Sequence, residues 1–297
     1  MNRHQPDMGN ITSIARGCGF TIVELVVTIL ISAIMAIGIV QYIGDSVTGI
    51  ASSTARNQLA TAGRTAIDRL AMELHNALPN SIRVTTATGG GDQCIEFVPV
   101  RAATSYIDPP FTGGGGTTFD VVDFTPSQEG TSGGYAVIYP NDIDDIYDGE
   151  NPTTTGFPAR GPIEEIDTIS DTAPTSDAST IVLRETHRFQ RRSPYQRFFL
   201  VDQPVSFCTV GTRIYRYTNY GFKSSQPDSE GPGEFPAYNG TTDKMLITDS
   251  IENAGLTAFT VSPQSLQRNA LISIRLKLTS GTDSVDINHE TLTRSVP

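Results

Sequence analysis

The chain has 297 residues and a formal net charge of −11, and its 27 glycines and 18 prolines indicate many loops. That length suits one large domain or two small ones. The acidic balance and the lack of a basic stripe argue against nucleic-acid binding, because phosphate contacts require clustered lysine and arginine.

The first predicted element is a membrane-spanning helix over residues 20–40. A helix of about 21 residues, rising about 1.5 Å per residue, spans about 30 Å, the thickness of a hydrocarbon core. Arg3 and Arg16 precede the run, which predicts a cytoplasmic N-terminus. Glu24 is the unusual residue here, because a carboxylate inside a bilayer costs about 2.5–3.5 kcal/mol and requires a partner.

Common membrane-targeting signals do not account for this arrangement. A secretory signal peptide has a shorter apolar run followed by a small-residue cleavage site, whereas Gly19 precedes the run. Cys18 also precedes it, which is the wrong order for a lipoprotein signal. A simple signal anchor leaves Glu24 unexplained. Cleavage between Gly19 and Phe20 would create an α-amine on Phe20, and staggered neighbouring chains would then pair this amine with the carboxylate inside the bilayer.

The motif GFTIVELVVTILISAIMA, which begins at Gly19, resembles the type III signal of type IV pilins and type II secretion pseudopilins. The resemblance implies that residues 1–19 are a leader, removed by a prepilin peptidase after Gly19. It further implies N-methylation of Phe20 and a role for Glu24 in assembly.

The same resemblance implies a fold, a location and a set of partners. The fold is α+β, with a long N-terminal helix packed on an antiparallel β-sheet domain. The location is a single pass through the inner membrane with a periplasmic C-terminal domain, and later the pilus at the cell surface. The implied partners are the prepilin peptidase, other minor pilins, the major pilin and an inner-membrane assembly platform.

The helix is predicted to continue as an amphipathic segment over residues 41–79. Apolar residues recur there at intervals of three or four: Leu59, Ala62, Ala66, Ile67, Leu70, Ala71, Leu74 and Leu78. Pro79 predicts an end near residue 78. Three glycines weaken the helix: Gly38, Gly44 and Gly49. Two explanations fit them: the helix bends or melts there in a filament, or the glycines allow close packing. His75 is expected at the surface.

Residues 80–297 are predicted to form a β-rich domain. Strands are expected over residues 94–100, 119–124, 135–140, 180–185, 197–208, 212–217, 256–262 and 270–278. Gly211 marks a hairpin turn, and the strand over 270–278 alternates apolar with polar residues, as a half-buried strand does. The acidic insertion over 105–178 is expected to hold a pair of strands with long loops.

The C-terminal half resembles the larger minor pilins and pseudopilins. The resemblance lies in the hairpin, in Asn219-Tyr220-Gly221-Phe222, in the alternating strand and in a short tail ending HETLTRSVP. It is greatest for the MshO-type minor pilin of the mannose-sensitive haemagglutinin (MSHA) pilus, followed by the PilW and GspJ types. This implies a structural subunit that helps to initiate or cap the filament. The alternatives are a type II secretion pseudopilin, or a tip adhesin whose 105–178 insertion binds a surface or glycan.

Two features of the β domain suggest binding or crosslinking. Cys94 and Cys208 both lie in predicted strands, where either a disulfide or two buried thiols would fit a periplasmic domain. The acidic segment over 141–151 offers carboxylate oxygens for calcium, or is a solvated loop. Its candidate ligands are Asp142, Asp144, Asp145 and Asp148, although their spacing does not match an EF-hand.

The sequence predicts neither an enzyme nor a required cofactor. There is no G-x-S-x-G motif, and the four histidines lack metal-ligand spacing. The adjacent carboxylates Glu164 and Glu165 are typical of an acidic surface.

Overall fold

The computed structural model describes residues 19–85, 92–123, 133–147, 160–171, 177–230, 234–236, 243–252, 255–262 and 270–293. A long N-terminal helix is followed by antiparallel sheets, so the α+β class predicted from the sequence is confirmed. The chain divides into two compact units, residues 1–54 and residues 55–297.

The described part of the first unit is helical and exposes its apolar side chains. Helix α1 (Ile22–His75) begins there, and the large apolar side chains over residues 20–50 are between 46% and 83% exposed. Among the described residues, α1 alone is long and apolar enough to cross a membrane, by length and composition. This agrees with a single-pass topology.

The part of α1 that belongs to the second unit is amphipathic. Leu59, Ile67, Leu70 and Leu74 are buried in a core shared with strand residues. The helix ends at His75, three residues before the predicted end, because the following backbone pairs with a strand segment instead. Leu78 N donates to Val98 O at 2.8 Å, and Val100 N donates to Asn76 O at 2.9 Å.

The described strands are β1 (Arg83–Val84), β2 (Gln93–Phe97), β3 (Val100–Ser105), β4 (Gly116–Val122), β5 (Tyr135–Val137), β6 (Ile163–Asp171), β7 (Ala178–His187), β8 (Arg197–Val201), β9 (Val205–Val210), β10 (Arg213–Tyr217), β11 (Lys244–Thr248), β12 (Phe259–Ser262), β13 (Leu271–Ser280) and β14 (Asp283–Leu292). A short helix, α2 (Asp144–Tyr147), lies between β5 and β6. Every pairing between these strands is antiparallel.

Two sheets complete the core around the second part of α1. One has the strand order β1-β2-β9-β10-β11 and the other the order β12-β13-β14. The side-chain amide of Gln93 joins them, because it donates to Phe259 O and accepts from Phe259 N, both at 2.9 Å. The buried carboxamide therefore satisfies the backbone of β12 as a neighbouring strand would.

The third sheet curves back on itself. Its order is β3-β8-β5-β6-β7-β4, and Tyr106 beside β3 forms a bridge with Val121 of β4. Ile107 N also donates to Asp120 O at 2.8 Å. The enclosed space holds a separate core, which includes Phe119, Ile166, Ile181, Phe189, Phe198 and Leu200.

The structure divides two of the predicted strands. The segment over 94–100 becomes β2 and β3 and crosses from the five-stranded to the six-stranded sheet. The segment over 197–208 becomes β8 and β9 and crosses in the opposite direction. Pro99 and Pro204 lie at the two breaks, where a residue without an N–H cannot continue a ladder. Asp202 N donates to Pro99 O at 3.1 Å, which holds the two crossings together.

Two other segments contain more strand than the sequence predicts. The insertion over 105–178 contributes β4, β5, β6 and the start of β7 to the closed sheet, instead of a pair of strands with long loops. The expected C-terminal tail is largely strand β14, which pairs with β13 along its full length.

Candidate functional site

The start of α1 is the first candidate site. Gly19 and Phe20 lie immediately before the helix and are exposed, so the peptide bond between them is accessible. Glu24 N donates to Thr21 Oγ1 at 3.2 Å, and Leu25 N donates to Thr21 O at 3.1 Å. Thr21 is therefore the N-cap of α1.

This geometry gives Glu24 a local reason for its position. A carboxylate in the first helical turn lies near the positive end of the helix dipole and is stabilised there. Thr21 and Glu24 have the spacing of a capping box, in which the fourth residue is Glu or Gln. The pattern T-x-x-E is a local sequence signal of this cap, and it is separate from the apolar periodicity that predicts the helix.

The structure brings Cys94 and Cys208 together. They are direct partners across β2 and β9 and form a disulfide with an S–S distance of 2.04 Å and a Cα–Cα distance of 4.1 Å. Tyr217, Tyr220 and Phe235 surround the bond, and both cysteines are buried. The bond crosslinks segments that are 114 residues apart in the sequence.

The acidic segment over 141–151 does not assemble a metal site within the described residues. Asp142 Oδ1 accepts from Ile143 N at 2.6 Å. Asp145 Oδ2 accepts from Asn141 N at 3.2 Å and from Arg191 Nη1 at 3.1 Å. In the described ranges, no group of three or more His, Cys, Asp or Glu side chains is arranged to hold a metal ion.

Asp144 lies at the start of α2, while Asp148 lies outside the described residues. Two of the four calcium candidates, Asp142 and Asp145, therefore bind backbone N–H groups and an arginine. The calcium prediction stays a prediction, because it includes Asp148.

A buried polar network occupies the β domain near the disulfide. Arg83 Nε donates to Glu96 Oε2, and Tyr220 Oη donates to Glu96 Oε1 at 2.9 Å. The Arg83 guanidinium also stacks 3.7 Å above the Tyr147 ring, which ties α2 to the five-stranded sheet. Burial raises the pKa of Glu96 above its ordinary value, and the charge of Arg83 only partly opposes this effect.

A second buried pair lies inside the closed sheet. Glu164 is opposite Ala136 of the enclosed core, and its Oε2 lies 3.2 Å from His187 Nδ1. His187 Nε2 lies 3.0 Å from Gly161 O, and both side chains are fully buried. The expectation that Glu164 lies on an acidic surface is therefore wrong, because alternation along β6 turns it inward while Glu165 pairs with Arg184 outside.

A polar cleft of about 470 Å³ lies beside the crossing between the sheets, with Arg101, Asp202, Glu165 and Arg216 in its lining. Arg101 pairs with Asp202. Arg216 pairs with Glu73 at 2.9 Å. Glu165 pairs with Arg184, so the charged side chains named in this lining already have partners of opposite charge.

Comparisons with protein-family models, with curated proteins and with solved structures gave no match to this chain.

Proposed function

We propose that this chain is a minor subunit of a type IV pilus of the MSHA kind, cleaved after Gly19 by a prepilin peptidase and incorporated through its N-terminal helix. The observation that carries the proposal is the juxtaposition of an exposed Gly19-Phe20 peptide with a capped, uncovered apolar helix. The large apolar side chains of that helix are at least 46% exposed over residues 20–50. Exposed apolar area on this scale requires lipid or other helices.

The partners follow from this mode of assembly. The inner membrane holds the helix before assembly, with the β domain in the periplasm. Other minor pilins and the major pilin then replace lipid around residues 20–54, and an inner-membrane platform drives the exchange. Cleavage leaves an α-amine at Phe20, and Glu24 of a neighbouring subunit pairs with it when the stagger is correct. The pairing selects a register, because an unpaired carboxylate in apolar surroundings is costly.

The first experiment tests maturation. Gly19→Leu, expressed in cells that assemble filaments, is expected to leave the precursor with residues 1–19 in the inner membrane, as read by immunoblot mass shift. Gly38→Ala is the matched control, because Gly38 has open space around its Cα, and it should mature normally. Normal processing of Gly19→Leu would contradict the proposal.

The second experiment separates the charge of Glu24 from helix capping. Glu24→Gln keeps a capping residue but removes the charge, whereas Thr21→Val removes the cap and keeps the charge. We expect Glu24→Gln to mature but to be depleted from sheared filaments, and Thr21→Val to be incorporated. Equal incorporation of both variants would rule out charge pairing as the basis of assembly.

A type II secretion pseudopilus would use the same helix. The two machines are distinguished by the phenotype of a deletion strain, since loss of surface pili supports the pilus and loss of protein export supports the pseudopilus.

A further inference from the structure

Strand β14 has one edge that no described strand covers. It is the outer strand of the order β12-β13-β14 and pairs with β13 from Asp283 to Leu292. Ser280 and Asp283 are paired across a two-residue turn, so Asp283 and every second residue after it bond to β13. The intervening residues direct their N–H and C=O groups away from the sheet: Ser284, Asp286, Asn288 and Glu290. No backbone bond joins these four to another described residue.

Both ends of this edge are fixed to helix α1. Arg56 Nε donates to Asp283 Oδ1 at 2.8 Å, and His75 Nδ1 lies 3.3 Å from Leu292 O. Between them the hairpin touches the helix at Gly63, where a Cβ would collide with Ile287 Cδ1. The edge is thus held extended over about 30 Å, at about 3.4 Å per residue, before any partner arrives.

The two faces of β14 differ in chemistry. On the helix side, Val285 and Ile287 are only partly buried against the core, whereas their β13 neighbours Leu278 and Leu276 are buried. On the other side, Asp286 and Glu290 are exposed. Lys277, the cross-strand neighbour of Asp286, forms an ion pair with Glu252 at 2.5 Å and also interacts electrostatically with Asp286. The uncovered edge therefore combines an apolar row with an acidic row.

We propose that this β14 edge binds an extended segment of a partner protein, which adds a further strand to the sheet. The partner segment carries apolar side chains toward α1 and lysine or arginine on the opposite face, beside Asp286 and Glu290. Backbone pairing supplies the binding surface and the alternating side chains supply selectivity. Long, uncovered edges are otherwise disfavoured in folded proteins, because they pair with other chains.

A second copy of the same strand is a poorer occupant. Antiparallel pairing of two β14 strands about Asn288 places Asp286 opposite Glu290, and like charges in that position are destabilising. Pairing about Ile287 places Asp286 opposite Asn288 instead. Neither register provides a cation, since the outward residues of β14 are Ser, Asp, Asn, Glu and Leu.

The test uses the full chain in non-ionic detergent micelles and a short synthetic peptide in which valine alternates with lysine and threonine. Amide hydrogen exchange is measured residue by residue. The lysine peptide is expected to slow exchange at Ser284, Asp286, Asn288 and Glu290, while a matched peptide with glutamate in place of lysine binds about tenfold more weakly. Unchanged exchange at these four amides with the lysine peptide would overturn the proposal, as would equal binding of both peptides.

Two variants of one residue make the test specific to the edge. Asn288→Pro removes an outward N–H and none of the bonds to β13, and proline is tolerated on such edges. It is expected to abolish peptide binding, whereas Asn288→Ala binds as the parent does. Slow exchange at the inward amides of Ile287 and His289 shows that the hairpin is intact in both variants. Equal binding by the two variants would overturn the proposal.

A charge reversal and a self-association measurement complete the test. Glu290→Lys is expected to shift the preference toward the glutamate peptide, and an unchanged preference counts against the acidic row as the selective feature. If sedimentation instead shows dimers of the parent chain that Asn288→Pro abolishes, the occupant is a second copy and the proposed partner is wrong. None of these outcomes depends on cleavage after Gly19.

Discussion

The two parts of helix α1 carry apolar side chains with opposite surroundings. Ile34 in the first part is 70% exposed, whereas Leu74 in the second part is 0% exposed. The second part completes a core with two sheets of the β domain, while the first part leaves its apolar surface to lipid or to other chains. Position along one continuous helix therefore separates apolar residues that stabilise the fold from apolar residues that are exposed.

The largest effect is expected from the disulfide, which acts on the β domain alone. Replacing both Cys94 and Cys208 with alanine opens a loop with a sequence separation of 114 residues. The chain-entropy model gives a loss of at most about 5 kcal/mol in the free energy of unfolding. Urea denaturation in micelles measures this loss. The helical signal of residues 22–54 should persist at urea concentrations at which the sheets unfold. Simultaneous loss of both signals would show that the two parts are not separable.

A matched pair of truncations tests whether the two parts of α1 differ in their contribution to stability. Leu74→Ala removes a fully buried side chain and is expected to lower the free energy of unfolding by about 2–5 kcal/mol. Ile34→Ala should change it by no more than about 0.5 kcal/mol in micelles. Equal losses in urea denaturation would contradict the assignment of Ile34 to an uncovered surface.

Two glycines of α1 are expected to respond to the same substitution with opposite signs. A Cβ at Gly63 would collide with Ile287 and lie 2.8 Å from Leu278 Cδ1, whereas nothing lies within 4 Å at Gly44. Gly63→Ala is therefore expected to destabilise the β domain by about 1–3 kcal/mol. Gly44→Ala should stabilise the helix by about 1 kcal/mol. Thermal unfolding followed by circular dichroism gives both signs, and a stabilising Gly63→Ala would refute the close helix-to-hairpin contact.

The smallest effects concern pH and two carboxyl groups of the β domain. Burial raises the pKa of Glu96 above 4.5, so the folded state keeps a proton that the unfolded chain has released. Between pH 4.5 and the raised pKa of Glu96, the free energy of unfolding is expected to fall as pH rises. Glu96→Gln should remove this dependence of the free energy of unfolding on pH, as measured by urea titrations at several pH values.

Glu230 provides the control of opposite sign. Desolvation alone would raise the pKa of Glu230, but hydrogen bonds from Lys244 and Tyr217 outweigh it and lower the pKa below 4.5. Its stabilising contribution is therefore present above that value and lost as pH falls through the lowered pKa. Glu230→Gln should remove a slope opposite to that of Glu96, and slopes of the same sign in the two variants would refute both assignments.

Local patterns account for the parts of the fold that the sequence predicts. The spacing of Leu59, Ile67, Leu70 and Leu74 identifies the buried helix face, and these four are buried, whereas Ala62 of the same predicted row is exposed. The hairpin turn at Gly211, with a φ of 58°, also follows from local chemistry and is confirmed. Such features depend on residues that are close together in the sequence, so one sequence is sufficient to predict them.

Long-range contacts account for the parts that it does not predict. The bridge from Tyr106 to Val121 closes the third sheet, and no periodicity in either segment indicates it. Glu164 is buried beside His187 of the neighbouring strand β7, in an enclosed core that the sequence does not indicate. The N-cap of α1, by contrast, is a local signal in T-x-x-E. The polar network around Glu96 joins residues from four separate segments, namely Arg83, Glu96, Tyr147 and Tyr220.

Cleavage after Gly19 and incorporation into filaments are tested together by the intact mass of this chain, purified from sheared filaments and from inner membranes. Filaments are expected to contain a chain that begins at Phe20 with an added N-methyl group, while membranes contain precursor and mature forms. A chain in filaments that retains residues 1–19, or a chain confined to membranes without cleavage, would contradict this expectation.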